Sequence, residues 1–195
     1  MEFHFFVNVP KVGVDGYLDG SDRIRMYERI ISQYAPDRPL DVLEIGVFMA
    51  GLSRHLMVSL KDRIGNYIGV DPYIGDDTDM YFRNYWKSDK SVAESAFEHS
   101  KGVFEKLGAT LTRAMSDEYL QSNSRMFDVI IVDGDHREEA CLKDLQLAWK
   151  RLKEGGLLLC DDFANPDHPG VTRAVTLFDR QFKDVRPEFG TDFTF

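Results

Sequence analysis

Acidic residues and one histidine follow two short apolar runs in the second half of the chain. The run VIIV leads into Asp133, Asp135 and His136, and the run LLLC leads into Asp161 and Asp162. Carboxylate oxygens are the ligands that Mg²⁺ prefers, with Mn²⁺ and Ca²⁺ as alternatives, and an imidazole can accept a proton near neutral pH. The pattern therefore indicates a site that holds a cation or moves a proton. The same acids also fit helix caps, and a lone histidine is more often structural.

These apolar runs belong to an alternating series of predicted strands and helices. Short buried strands that alternate with amphipathic helices are typical of a mostly parallel sheet covered by helices on both faces. Such sheets bind ligands at the carboxyl ends of their strands, which is where the acids fall. We therefore predict an α/β, Rossmann-like, doubly wound fold. The predicted strands are 41–46, 67–71, 109–113, 128–133 and 157–161, and the predicted helices are 21–34, 51–61, 91–107, 137–152 and 170–183.

The whole chain of 195 residues is predicted to form one domain. We assign 1–38 to an N-terminal helical or lid segment, 40–182 to the core, and 184–195 to short C-terminal strands. The segment 72–90 is acidic and aromatic and is predicted to be a loop. Two glycines, Gly155 and Gly156, are expected to break the chain before the fifth strand.

The turn after the first predicted strand, EIGVFMAGLS, carries Gly46 and Gly51 with Phe48 between them. A dinucleotide fingerprint needs a middle glycine so that the backbone can approach a pyrophosphate, and Phe48 disfavours NAD or FAD. A nucleoside ligand without a pyrophosphate, such as S-adenosylmethionine, is still compatible. Asp71 ends the second strand, where an acid can bind both ribose hydroxyls. Plain turn roles for both glycines and for Asp71 stay open.

Composition and charge restrict the partners. The formal net charge is −9 with no run of Lys or Arg, which disfavours general nucleic-acid binding. Cys141 and Cys160 have no metal-ligand spacing and are predicted to be buried thiols in a reducing compartment. No apolar run is long enough to cross a bilayer, and the N-terminus is not typical of a signal peptide. We expect a cytoplasmic protein with no membrane or nucleic-acid partner, and a homo-oligomer is possible.

Four segments together, EIGVFMAGLS, YIGVDPY, FDVIIVDGDH and LKEGGLLLCDDF, resemble class I S-adenosylmethionine-dependent methyltransferases. More narrowly, they resemble the metal-dependent O-methyltransferases of antibiotic sugars, of the macrocin and mycinamicin type. The resemblance covers about 40–182. It implies a seven-stranded sheet of order 3-2-1-4-5-7-6 with the last strand antiparallel.

The resemblance also implies roles for individual residues. An acceptor hydroxyl of a small molecule, such as a sugar, a polyketide-type alcohol or a catechol-like diol, would be methylated with the help of a divalent cation, Mg²⁺ or else Mn²⁺ or Ca²⁺. The implied metal ligands are Asp133, Asp161 and Asp162, the implied general base is His136, and the implied residues of the S-adenosylmethionine site are Glu44, Gly46, Gly51, Ser53, Asp71, Ser116 and Asp133.

Two neighbouring residues receive other predictions. Asp135 is expected to cap the following helix, and His168 is expected to be a loop residue with no metal role. Three rival functions remain: a non-catalytic module that binds S-adenosylmethionine, a nicotinamide oxidoreductase, and a metal-independent methyltransferase acting on protein or nucleic acid. Phe48 disfavours the oxidoreductase, and the acidic balance disfavours the last of these.

Overall fold

The structure is a computed structural model that describes residues 4–8, 20–74, 90–182 and 188–190. Strands and helices alternate along nearly all of it. Most of the predicted loop 72–90 and of the predicted C-terminal strands lies outside the described residues. The elements are β1 (His4–Asn8), α1 (Gly20–Tyr34), β2 (Leu40–Ile45), α2 (Gly51–Ser59), β3 (Ile64–Val70), α3 (Lys90–Leu107), β4 (Thr110–Thr112), α4 (Ser116–Ser122), β5 (Phe127–Val132), α5 (Glu138–Trp149), β6 (Leu152–Cys160), α6 (Pro169–Gln181) and β7 (Glu188–Gly190).

Six strands lie in the order β4-β3-β2-β5-β6-β1, and the three-residue β7 pairs with β1 at the outer edge. Every strand pair of the described sheet is parallel. The prediction of a Rossmann-like α/β fold with a parallel sheet is confirmed. The predicted order 3-2-1-4-5-7-6 with an antiparallel last strand is wrong, because β1 and β7 lie beyond β6 and both run parallel to the strands beside them.

The N-terminal strand is the main difference from the prediction. Residues Phe5, Phe6 and Val7 are buried and form a continuous apolar run, as expected for a strand covered on both faces. The segment 1–38 is therefore not wholly helical, and part of it belongs to the sheet. A second difference concerns Gly155 and Gly156, which lie inside β6 rather than before it.

Alternate residues of the strands pack against different helices. One core cluster joins the sheet to α5 and α6, and includes Ile130, Leu145 and Phe178. The other joins it to α1, α2 and α3, and includes Ile131 and Leu56. Both free cysteines are buried, as predicted. No helix among the described residues has the length and hydropathy of a membrane span.

Candidate active site at the carboxyl ends of the strands

Backbone hydrogen bonds place the candidate residues in one row. The N–H of Asp133 donates to the carbonyl of Ile45 at 2.8 Å, and the N–H of Asp161 donates to the carbonyl of Val132 at 3.0 Å. The N–H of Gly46 continues the row with a 2.9 Å bond to β3. Each of these bonds extends the parallel ladder by one residue beyond a strand end. The sheet therefore fixes the backbone positions of these residues.

The loops that leave this edge are strained. Five non-glycine residues of the described chain have positive φ, and all follow the carboxyl ends of β2, β3 or β6. Each such residue costs roughly 1–3 kcal/mol, and conformations of this kind concentrate at functional sites. The five are Phe48, Ala50, Tyr73, Asp162 and Ala164.

Arg23 of α1 binds two of the acids. Its Nη1 lies 2.5 Å from Asp161 Oδ2 and 3.9 Å from Asp133 Oδ2, and the Asp161 side chain is fully buried. Burial opposes the charged form of Arg23, but Asp161 and Asp133 raise the pKa of its guanidinium above the usual value. Burial, and then the charge of Asp161, raises the pKa of Asp133 well above the normal range of a carboxyl group.

Asp162 faces two histidines. His136 Nε2 lies 3.0 Å from Asp162 Oδ2, and His168 Nε2 lies 3.9 Å from the same oxygen. The two imidazole rings stack with centroids 3.8 Å apart. Asn165 donates to the other carboxylate oxygen of Asp162 at 2.8 Å. Burial alone would raise the pKa of Asp162, but the hydrogen bond and charge of His136 lower it to about 2.

The donor set fits a divalent cation. The ligand atoms of His136, Asp162 and His168 all lie within 4.8 Å of one another, and Asp133 Oδ1 is 3.9 Å from His136 Nε2. The hydroxyl of Tyr27 is buried without a hydrogen-bond partner among the described residues, and such a group normally finds water or a ligand. Carboxylate oxygens suit Mg²⁺ or Mn²⁺, whereas imidazole nitrogens suit ions such as Zn²⁺ or Fe²⁺.

Gly46 allows β2 to approach β5 at this edge. Its φ is +86°, and a Cβ atom there would lie 1.9 Å from the carbonyl oxygen of Asp133. Gly51, at the start of α2, has nothing within 4 Å of its Cβ position. The two predicted turn glycines therefore differ, since packing and conformation require glycine at 46 but do not require it at 51.

Asp71 supports the glycine turn from the neighbouring strand. Its Oδ2 accepts the N–H groups of Val47 and Phe48, both at 2.9 Å, and its Oδ1 accepts the N–H of Tyr73 at 2.8 Å. Burial raises the pKa of Asp71, and these backbone hydrogen bonds oppose the rise. Because Oδ2 already accepts two hydrogen bonds, Oδ1 is the oxygen with capacity left for a ligand.

Glu44 and Ser53 lie beneath the turn. Both are buried, and the Ser53 hydroxyl donates to Glu44 Oε2, which also accepts the hydroxyl of Tyr67 at 2.9 Å. Burial raises the pKa of Glu44 to about 7. These contacts join α2, β2 and β3, so Glu44 and Ser53 support the turn from below.

Ser116 begins α4, and its hydroxyl donates to Asp144 Oδ1 at 2.6 Å. Burial raises the pKa of Asp144 to about 6. Asp135 does not cap α5 as predicted. The N-cap residue is Arg137, which has no side-chain capping bond, and Asp135 accepts the Arg137 N–H at 2.9 Å and its guanidinium.

Comparison with known proteins decides the family. Residues 43–163, more than half of the chain, match a family model described as a methyltransferase domain. The chain belongs to this methyltransferase-domain family. The predicted resemblance to class I methyltransferases is thereby confirmed at the level of the family. The matched range of the domain contains every residue predicted for the site.

A protein sequence and two solved structures are also similar to this methyltransferase domain. An uncharacterized protein of Acanthamoeba polyphaga mimivirus is 30% identical over 129 residues, which are 64% of this chain and 52% of that protein. The chain thus spans about half the length of that relative. The O-methyltransferase NovP has a TM-score of 0.55 at 16% identity, over 84% of this chain and 71% of NovP.

The second structure is the methyltransferase PaMTH1 of Podospora anserina, described as bound to S-adenosylhomocysteine. Its TM-score is 0.53 at 15% identity, over 82% of this chain and 68% of that one. At such identities, both structures show the shared fold.

Two residues of the site were missed by sequence reasoning. His168 was expected to have no metal role, yet it stacks on His136 beside Asp162. Gly170 contributes to this arrangement, since a Cβ there would lie 2.3 Å from the carbonyl oxygen of His136. Arg23 carries no signal in the sequence, because one arginine in an amphipathic helix is ordinary.

Proposed function

We propose that this methyltransferase domain is an enzyme that transfers the methyl group of S-adenosylmethionine to a hydroxyl of a small molecule with the help of a divalent cation. The observation that carries the proposal is the meeting of Asp133, Asp161, Asp162 and His136 at one edge of the sheet, beside the glycine turn of a methyltransferase-domain family member.

The proposed S-adenosylmethionine site lies over the carboxyl ends of β2, β3 and β4. Asp71 is proposed to bind the ribose through its less occupied Oδ1, while Gly46 and Gly51 form the turn beside the methionine part. Ser116 is proposed to lie near the adenine. The buried Glu44 and Ser53 support this cofactor site through the contacts that hold the turn, and Asp133 borders it beside Gly46.

The proposed cation site is formed by Asp133, Asp161 and Asp162. A divalent ion there would lower the pKa of an acceptor hydroxyl and orient it. His136 is proposed to take the hydroxyl proton, because its Nε2 lies within 4 Å of two of these carboxylates. With S-adenosylmethionine bound, the acceptor oxygen would form a bond to the methyl carbon as the carbon–sulfur bond breaks, and S-adenosylhomocysteine would leave.

Exposed apolar side chains around the same edge favour an organic acceptor. Phe48, Met49, Ile74 and Met115 follow β2, β3 or β4 and are between 36% and 59% exposed. Apolar walls with a few polar groups are typical of small-molecule sites. We propose a sugar, polyketide-type alcohol or catechol-like diol as the acceptor class, and no nucleic acid, because the net charge is −9.

The test has two parts. Calorimetric titration with S-adenosylhomocysteine should show binding by the wild-type protein and much weaker binding by Asp71→Ala. Transfer of radiolabelled methyl from S-adenosylmethionine to a panel of sugar and diol acceptors should then stop in excess chelator and return with Mg²⁺ or Mn²⁺. Failure to bind the cofactor product would refute the methyltransferase assignment, whereas full turnover in chelator would refute the cation.

A metal-independent methyltransferase is the second candidate. The position of Arg23 between Asp161 and Asp133 favours it, because a guanidinium can supply the positive charge that a divalent ion would otherwise supply. Undiminished turnover in chelator together with loss of activity in Arg23→Met would support this candidate over the first.

A further inference from the structure

Helix α1 brings a permanent positive charge into the acidic site. Arg23 Nη1 approaches Asp161 Oδ2 to 2.5 Å and Asp133 Oδ2 to 3.9 Å, and about a third of the Arg23 side chain is exposed. A guanidinium cannot lose its proton in a protein. The metal-free site is therefore already paired with a cation from the protein itself.

Both oxygens of Asp161 already have a partner in this arrangement. Its Oδ2 binds Arg23, and its Oδ1 accepts the N–H of Asp162 at 2.9 Å. A divalent ion that binds Asp161 must therefore share Oδ2 with the guanidinium, displace it, or use the second lone pair of Oδ1 beside it. Two cations at this spacing repel each other strongly in a partly buried site.

We propose that Arg23 and a divalent ion compete for Asp161 and Asp133, so that binding of the ion displaces Arg23 and loosens the first turn of α1. This inference rests on the proposed function for the presence of a divalent ion. It adds that the ion has to break an internal ion pair in order to bind, which lowers its affinity. It also adds that the first turn of α1 is more loosely held when the ion is bound.

The remainder of α1 has its own anchors. Tyr27, Ile30 and Ile31 are buried in the core cluster shared with α2 and α3, and Glu28 Oε2 lies 2.7 Å from His55 Nε2 of α2. Displacement of Arg23 therefore leaves the later turns packed. The change is confined to the turn that carries Arg23.

The experiment measures Mn²⁺ binding in the absence of cofactor and acceptor, by the electron paramagnetic resonance signal of free Mn²⁺. Three variants are compared with the wild-type protein. Arg23→Met removes the charge and keeps the length, Arg23→Lys keeps the charge, and Arg125→Met removes a matched surface charge paired with Asp41 at the opposite edge of the sheet.

We expect Arg23→Met to bind Mn²⁺ at least about tenfold more tightly than the wild-type protein, because no ion pair has to be broken and the buried Asp161 and the half-buried Asp133 lack their partner. Arg23→Lys should lie between the two, since an ammonium is a point charge without the planar fork of arginine. Arg125→Met should match the wild type. If Arg23→Met does not fold, the Mn²⁺ affinity of Arg23→Lys compared with that of the wild-type protein still tests the inference.

Hydrogen exchange supplies a second readout. Saturating Mn²⁺ should speed exchange of the amides at 24–27 in the wild-type protein, because these donate to the carbonyls of the first turn of α1. The turn after Ile31 should be unchanged. Equal or weaker Mn²⁺ binding by both Arg23 variants, or no change in α1, would overturn the inference while leaving the proposed function in place. Absence of Mn²⁺ binding in all four proteins would overturn the divalent ion itself.

Discussion

Replacement of Gly46 by alanine should destabilise the domain strongly, and the magnitude follows from two structural terms. An alanine forced to a φ of +86° costs roughly 1–2 kcal/mol relative to glycine. Its Cβ would lie 1.9 Å from the carbonyl oxygen of Asp133, so the backbone of β2 or β5 must move, and overpacking of this kind costs about 1–3 kcal/mol. The sum is a loss of about 2–5 kcal/mol in the free energy of unfolding.

Gly51 gives the matched control for this change. It lies in the same turn, its φ is not positive, and its Cβ position has no neighbour within 4 Å. Gly51→Ala should leave the free energy of unfolding within about 1 kcal/mol of the wild type, with a gain favoured by the lower entropy of the unfolded chain. Urea unfolding followed by circular dichroism measures both variants. Gly46→Ala with a stability equal to that of Gly51→Ala would refute the reasoning.

Three further predictions test other parts of the domain. Glu44 has a pKa raised by burial from 4.5 to about 7, so wild-type stability should fall as pH rises between these values and level off above pH 7. Glu44→Gln should lack this fall. The free energy of unfolding of Glu44→Gln minus that of the wild type, measured by urea unfolding, should therefore increase by at most about 3 kcal/mol from pH 4 to pH 8. His136→Gln should lower kcat by about 10²–10⁴-fold and leave S-adenosylhomocysteine affinity unchanged in calorimetry; near wild-type kcat would exclude the base role. Lys153 Nζ binds Asp41 and the fully buried Asp128 at 2.5 and 2.9 Å, and Arg38 Nη2 also lies 2.6 Å from Asp128. Because Arg38 remains, Lys153→Met should lower the melting temperature and cost about 2–4 kcal/mol, less than a fully unpaired buried charge; an unchanged melting temperature would show that Arg38 alone is enough for Asp128.

The centre of the fold was predictable because its signals are local. Apolar runs of four residues mark β5 and β6, and shorter apolar segments mark β2 and β3. The acids directly after these strands fall at the carboxyl edge by the geometry of parallel strands. Asp133 and Asp161 lie in one row for this reason alone. The turn at Gly46 was also readable, since glycine at the end of a strand indicates positive φ or close approach.

The edge of the sheet was less predictable. The run Phe5-Phe6-Val7 is three residues long, and three apolar residues do not distinguish a strand from any other buried segment. The resemblance placed two C-terminal strands beside β6, whereas β1 pairs there instead. The identity of the edge strand depends on pairing between segments that are distant in sequence. The hydrophobic pattern of one segment does not determine that pairing.

Arg23 and His168 could not be found by spacing. Each belongs to an element outside the matched range 43–163, and each reaches the site through tertiary packing. For His168, the rotation of α6 against the loop at His136 depends on the missing Cβ of Gly170. For Arg23, the deciding factor is the packing of α1 through Tyr27, Ile30 and Ile31 into the core cluster shared with α2 and α3.

The electrostatics of the site favour a bound cation. Asp133 and Asp162 both lie near His136 Nε2, at 3.9 and 3.0 Å. Burial and then Asp161 raise the pKa of Asp133 far above normal, whereas His136 lowers that of Asp162 to about 2. Pairs of carboxyl groups whose pKa values are pushed apart are typical of active sites. Arg23 Nη1 lies 2.5 Å from Asp161 Oδ2 but 3.9 Å from Asp133 Oδ2, so Asp133 is the more weakly paired of the two carboxyl groups. A divalent ion at this edge would favour the ionised form of Asp133, because an opposite charge within a few ångströms stabilises a carboxylate.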